Sequence, residues 1–207
     1  DLTSLSASTY LGGASGEDSY AIAIDSSDNV YVTGQTADAT TDLPATSGAY
    51  DESHNGGQDA FISKFSSDLT SLSASTYFGG EEHDRINAIT IDSSDNVYVT
   101  GYTEKGNVDV TSDLPVTSGA YDETHNGGND DEDAFVSKFS NDLASLSAST
   151  LLGGSAYDRI NAIAIDSSDN VYVAGWTFDH TTDLPVTSDA YDESQNGDYD
   201  AFVSKFD

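Results

Sequence analysis

Cysteine and methionine are both absent from these 207 residues, and lysine plus arginine number only six. Without cysteine there is no disulfide staple and no thiolate chemistry. Without methionine there is no initiator, so a chain opening on Asp1 reads as a processed or truncated product. No apolar run approaches the roughly 18 residues that a membrane-spanning helix needs. Six basic residues cannot build the positive surface that phosphate backbones require, which argues against a nucleic-acid partner.

Acid is abundant instead. Asp plus Glu number 37, and the formal net charge is −31. Self-repulsion on this scale destabilises a compact chain unless it is screened. Molar salt shortens the Debye length to about 3 Å, and bound divalent cations neutralise charge locally. A saline setting or calcium is therefore implied. Disorder, the other outcome of an acidic composition, conflicts with twelve tyrosines, eight phenylalanines and a regular strand pattern.

That pattern is a repeat. Ala21-Ile-Ala-Ile-Asp-Ser-Ser-Asp-Asn-Val-Tyr-Val-Thr-Gly34 returns nearly unchanged at residues 88–101 and 162–175. Each copy reads as a β-hairpin. Its first strand is apolar on both faces, so it is expected to lie deepest. Its second, Val30-Tyr-Val-Thr33, is β-branched and aromatic, and Asp25-Ser-Ser-Asp-Asn29 forms the turn. The opening motif Asp1-Leu-Thr-Ser-Leu-Ser-Ala-Ser-Thr9 recurs after 67 and then 74 residues, the extra seven following Gly101. The single repeat domain thus divides into 1–67, 68–141 and 142–207. Strand-like segments in the first copy are 5–11, 20–24, 30–33 and 60–65. Four strands per repeat without helical periodicity point to propeller blades. The fold class expected is all-β: three four-stranded blades, completed between subunits by terminal strand exchange.

Five motifs in fixed order, Tyr10-Leu-Gly-Gly13, the Asp-Ser-Ser-Asp-Asn hairpin, Thr41-Asp-Leu-Pro44, Gly48-Ala-Tyr50 and Asp59-Ala-Phe-Ile-Ser-Lys-Phe65, resemble the SBBP-type β-propeller repeat. The resemblance covers essentially the whole chain three times. It implies a propeller-like fold and an extracellular prokaryotic protein, and it implies little about activity. One position departs from the family: Asp28, Asp95 and Asp169 stand where the repeat usually has Gly. A left-handed backbone is expected there.

Catalytic constellations are missing from the sequence. His54 and His125 are repeat-equivalent, with Gln195 in the third copy, and read as surface residues; His83 and His180 have no such pattern. There is no Gly-x-Ser-x-Gly elbow, and the Gly12-Gly13 pairs lack the ending of a phosphate loop. The chain reads as a non-enzyme. Calcium, which takes oxygen ligands, is the one cofactor considered. Its candidate ligands are Asp25, Asp28 and Asn29, then Asp92, Asp95 and Asn96, then Asp166, Asp169 and Asn170. A plain hairpin turn explains the same residues. Two further acidic clusters, around Asp18, Asp84 and Asp158 and around Asp59, Asp133 and Asp200, allow a site assembled from two loops. Lys64, Lys138 and Lys205 share one strand position, and each is expected to pair with a carboxylate on a neighbouring strand. Arg85 and Arg159 have no counterpart at the equivalent place in the first copy and mark contacts between repeats. The loop tyrosines Tyr50, Tyr121 and Tyr191 are expected to pack onto the blades, or else to stack sugars.

Read from the inner strand outward, blade three lacks its outer strand, and segment 5–11 lacks a blade, as they would also do in a fragment of a longer propeller. Strand addition is the expected remedy: Leu5, Ala7, Thr9 and Leu11 of one subunit against Phe202, Val203 and Phe206 of another. The function expected is a secreted, self-associating structural protein forming a filament or surface assembly. The alternative is a calcium-dependent carbohydrate- or ligand-binding module, a six-bladed dimer.

Overall fold

The computed structural model describes residues 2–37, 43–106, 114–128, 130–178 and 184–207. His180 and the Thr41-Asp42 part of one motif lie outside these. Three sheets follow one another along the chain. The first contains β1 (Glu17–Ile24), β2 (Val30–Thr36), β3 (Ala60–Phe65) and β4 (Leu72–Phe78). The second contains β5 (Asp84–Ile91), β6 (Val97–Glu104), β7 (Glu132–Phe139) and β8 (Leu146–Leu152). The third contains β9 (Tyr157–Ile165), β10 (Val171–Phe178) and β11 (Tyr199–Phe206). Neighbours in sequence pair antiparallel within each sheet, giving two sheets of four strands and one of three. Among the described residues there is no helix.

Each hairpin turn is built by its first aspartate. Asp25 Oδ1 accepts the N–H groups of Ser27 at 3.0 Å and Asn29 at 2.9 Å. These bonds close the turn and leave Asp28 in the left-handed region at φ 63°, as are Asp95 and Asp169. The left-handed expectation therefore holds at all three positions. On the second strand, Gly34 faces a bulge between Ser19 and Ala21 of β1. A Cβ at Gly34 would sit 1.8 Å from the Asp18 carbonyl oxygen, so only glycine fits.

The cores lie between adjacent sheets. Tyr31, Ile62 and Phe78 of the first meet Ile86, Val97, Phe135 and Phe139 of the second. Phe78 stands edge-on to Phe135 and Phe139, with ring centroids 5.6 and 5.0 Å away. Tyr98, Val136 and Leu152 of the second sheet meet Ile160, Val171, Val173 and Phe202 of the third.

Two expectations are corrected. Segment 5–11 is not a strand: it has no sheet partner, and Leu5 is 83% exposed. Blade three has three strands of its own, and the outer strand expected to be missing from it is missing. A lone extended segment has no ladder to join, and the sheet edge it matches is at the far end of the chain. The inner strands are also not the deepest. Ile22 and Ile24 of β1 are 65% and 61% exposed, whereas β6 is buried almost throughout. Strand β5 packs beside β1 and β9, but no comparable packing joins β1 to β9. The three blades thus form an open arc, and its inner strands face a side that no opposite blade covers.

Candidate functional site

The geometry that could carry a function lies at the blade junctions and at the two ends of the arc. At the first junction, Tyr31 Oη and Lys64 Nζ of blade one both donate to the Asn141 carbonyl, at 2.8 and 3.1 Å. Asn141 follows the last strand residues of β7 in blade two. Lys64 also pairs with Asp25 Oδ2 at 3.2 Å. Burial pushes the Asp25 carboxyl up, but bonds from Asn29, Lys64 and Ser27 outweigh it and hold it at about 2. Lys138 pairs likewise with Asp92 at 3.4 Å, whereas Lys205 reaches only the exposed Asp207. The lysines do pair with carboxylates, although those carboxylates sit in turns and at a chain end rather than along a neighbouring strand.

The arginines do cross between repeats. Arg85 of blade two lies over the Tyr20 ring of blade one at 3.6 Å. Arg159 of blade three lies over Tyr102 of blade two at 4.2 Å and pairs with Glu132. Hairpin turns also touch: the Ser26 N–H and hydroxyl donate to the Asp95 carboxylate at 2.9 and 2.7 Å.

Two of the acidic clusters meet at these junctions. The Asp84 N–H donates to the Gln58 carbonyl beside Asp59 at 2.7 Å. Asp133 is fully buried, and burial pushes its carboxyl up to about 8, opposed by the Asn126 N–H and reinforced by Asp158. Asp59 is raised by burial to about 6. The histidines beside them are not surface residues, which corrects the sequence reading. His125 is 3% exposed, and its Nδ1 lies 3.8 Å from Asp133 Oδ1. His54 Nε2 bonds Thr36 Oγ1 at 3.0 Å. Loop packing against the start of β3 and β7 buries both rings. Burial lowers the His125 pKa while it raises that of Asp133, so near pH 7 they make a neutral contact, not an ion pair.

Of the turn residues named for calcium, the first aspartate and the asparagine of each turn bond to one another, while Asp95 bonds across to Ser26. Both oxygens of Asp25 accept from the Asn29 side chain, Oδ1 takes two backbone N–H groups, and Oδ2 faces Lys64. Asp92 and Asp166 accept the backbone N–H of Asn96 and Asn170 on Oδ1 and their side-chain amides on Oδ2. Among the described residues, no three His, Asp or Glu side chains gather around one point suited to a metal.

The outer strands reveal what sequence spacing does not. In blade one, β4 is clasped on both edges. On one side Ser63 Oγ meets Ser75 Oγ at 2.8 Å, within the β3–β4 ladder. On the other, the loop after β2 binds it: Thr46 N–H to the Ser75 carbonyl, and Tyr77 N–H to the Asp51 carbonyl. Blade two repeats this with Ser137, Ser149, Thr117 and Asp122. Blade three has β11 and, before it in the chain, a loop bearing Thr187 and Asp192. The Ala190 N–H to Thr187 carbonyl bond keeps the turn seen at Ala49 and Ala120. Among the described residues no strand pairs with the outer edge of β11, and Val203 is 76% exposed.

The segment with the matching sequence stands at the other end of the arc. Ser8 and Thr9 are equivalent to Ser75 and Thr76. Leu11 packs against the cluster of Leu43, Phe61 and Tyr77 on the outer face of blade one. Its equivalent Phe78 packs on Phe135 of blade two in the same way. Leu11 thus occupies the place that an outer strand of a preceding blade would hold.

No curated protein matches the chain. The model of the SBBP β-propeller repeat matches residues 8–38, 75–107 and 149–177. The second match runs from the end of β4 through β5 and β6, so the family's unit joins the outer strand of one blade to the inner hairpin of the next. Each match takes in the inner hairpin of one sheet, so the chain is similar to the SBBP β-propeller repeat in three regions.

Proposed function

We propose that the protein is a non-enzymatic, secreted or cell-surface structural protein that assembles with copies of itself by strand exchange. The observation that carries this reading is the unpaired outer edge of blade three. In its sheet β11 has no outer neighbour, and the loop of Thr187 keeps the local turn of the loops that clasp β4 and β8. The segment 2–11 has the sequence of those strands, and residues 2–10 are exposed. Transferring the β3–β4 register gives the pairing: Ala201 opposite Leu11, Phe202 opposite Tyr10, Val203 opposite Thr9, Ser204 opposite Ser8, and Lys205 opposite Ala7. After a bulge, Phe206 lies opposite Leu5. Edge strands recruit such segments readily because their backbone groups are unpaired. Exchange that runs head to tail without closing gives a filament, and reciprocal exchange gives a closed pair of six blades. The near-identity of the repeats favours the filament, since each junction continues the chain's own register.

Light scattering and electron microscopy of the full chain against a chain lacking residues 1–13 test the reading. The full chain is expected to assemble in molar salt and the truncated chain to remain single. Equal assembly of both would overturn it.

A carbohydrate-binding role has one supporting observation. Trp176, Phe178 and Tyr199 cluster on blade three, with Tyr199 4.6 Å from Phe178 and 5.3 Å from Trp176. Half-exposed aromatic rings of this kind can stack a sugar face. Tryptophan fluorescence titrated with soluble polysaccharides, with and without calcium, distinguishes this role from the structural one, because Trp176 is the only indole.

A further inference from the structure

Each blade has two faces, and within this chain one face of a blade always meets the other face of the next. The face toward the following blade carries Tyr31, Ala60 and Ile62 in blade one and Tyr98, Ala134 and Val136 in blade two. All six are buried, Tyr31 and Ile62 completely. The same face of blade three carries Tyr172, Ala201 and Val203. Tyr172 is 37% exposed, Val203 is 76% exposed, and Ala201 is exposed. The loop tyrosines follow the same gradient. Tyr50 packs on Phe139 of blade two at 5.6 Å and Tyr121 on Phe206 of blade three at 6.0 Å. Tyr191 is 107% exposed, so the packing expected of all three holds for two.

The opposite end of the arc shows the complementary gap. The face of blade two toward blade one buries Val97, Val99 and Leu143 completely. In blade one the equivalent Val30, Val32 and Leu69 are only half-buried. Leu69 holds the same left-handed φ of 58° as Leu143. The backbone receptor is therefore preformed, and what it lacks is the blade that would cover it.

We infer that the free face of blade three docks on the free face of blade one of a second copy, with Tyr172 Oη and Lys205 Nζ both donating to the Ser67 carbonyl of that copy. The pairing follows from the first junction, because Tyr172 and Lys205 are equivalent to Tyr31 and Lys64, and Ser67 is equivalent to Asn141. It rests on the strand-exchange reading, which brings these two faces together, but adds a contact that exchange does not require. Two substitutions make this junction the weaker kind. Ser19 stands where Ile86 and Ile160 are buried, and Asp18 stands where Arg85 and Arg159 cross. The contact between copies thus lacks the arginine–aromatic clamp of the contacts within a chain.

The chain has no cysteine, so introduced thiols are unique. The test is cross-linking of the Lys205→Cys, Ser67→Cys double variant with a short bismaleimide under assembling conditions. Both positions are solvent-facing, so folding is not at risk. Lys64→Cys with Asn141→Cys serves as the reference, since it samples the same geometry inside one chain. A ladder of covalent dimers, trimers and longer species is expected from the first pair, and a cross-linked monomer from the second. Each single variant should give no ladder. If the double variant assembles by light scattering but yields no ladder, the face contact is wrong and strand exchange stands. If the double variant and the unmodified chain both remain monomeric, the two readings fall together.

Discussion

Lys64 Nζ donates a 3.1 Å hydrogen bond to the carbonyl oxygen of Asn141, which belongs to the next repeat. Its side chain is 14% exposed and also faces Asp25. A hydrogen bond to a charged group contributes about 1.5–3 kcal/mol. Lys64→Met should therefore lower unfolding free energy by about that much. Lys205→Met, at the equivalent but fully exposed position, should leave the midpoint unchanged. Urea titrations of both variants, at concentrations too low for assembly, check the contrast.

Stability should fall as pH rises through the range set by Asp133. Its folded pKa of about 8 lies above the ordinary value of about 3.9, so the folded state holds a proton that the unfolded chain releases. The stabilisation is fully present below about pH 4 and is lost as pH rises through about 8, with a slope of up to roughly 1.4 kcal/mol per pH unit. Asp59, raised to about 6, adds the same sign over the lower part of that window. Asp25, held at about 2, acts oppositely: its contribution is present above about pH 4 and lost as pH falls through about 2. Asp133→Asn should flatten the slope between pH 4 and 8, because an amide oxygen can still accept the Asn126 N–H. Thermal melts across this range would show an unchanged slope if the buried carboxyl is not the cause.

Much of this was legible in the sequence and some was not. The repeat boundaries, the inner hairpins and the missing outer strand follow from residues such as Asp25, Val30 and Phe65, whose local chemistry is the same in every copy. The burial of His54 and His125 was not legible, because it depends on loops closing over the start of β3 and β7. Nor was the exposure of Ile22, since apolar composition states what a strand can bury and not whether an opposite blade exists. The clasp of Thr46 and Asp51 on β4 escaped because it joins positions 25 to 29 residues apart through backbone groups and the hydroxyls of Thr46 and Thr76, whose repetition in the sequence does not say what they bond.

The turn residues separate two roles. Asp169 is exposed at φ 63°, and replacing it by Gly relieves left-handed strain, a gain of up to about 1 kcal/mol. Asp95 has the same φ but accepts two bonds from Ser26 of the neighbouring blade. Asp95→Gly should therefore be neutral or destabilising. Paired thermal melts in which both variants gain equally would remove the inter-blade role of Asp95.

Screening should govern stability as a whole. With a net charge of −31, the melting temperature is expected to rise steadily with sodium chloride up to molar concentration. Melts in chelator, in millimolar calcium and in molar monovalent salt separate the two cation effects. Stabilisation by millimolar calcium beyond that of matched ionic strength would assign a bound ion. No response to any of the three would contradict both.

The central claim is that blade three receives the segment 2–11 of another copy, and a labelled peptide of residues 1–13 tests it most directly. Added to the chain lacking those residues, the peptide should bind saturably at one per chain and protect the amides of β11 from hydrogen exchange. Added to the full chain, it should cap the free edge and shorten the assemblies. Absence of binding to the truncated chain, with β11 amides exchanging equally fast in single and assembled protein, would contradict the account.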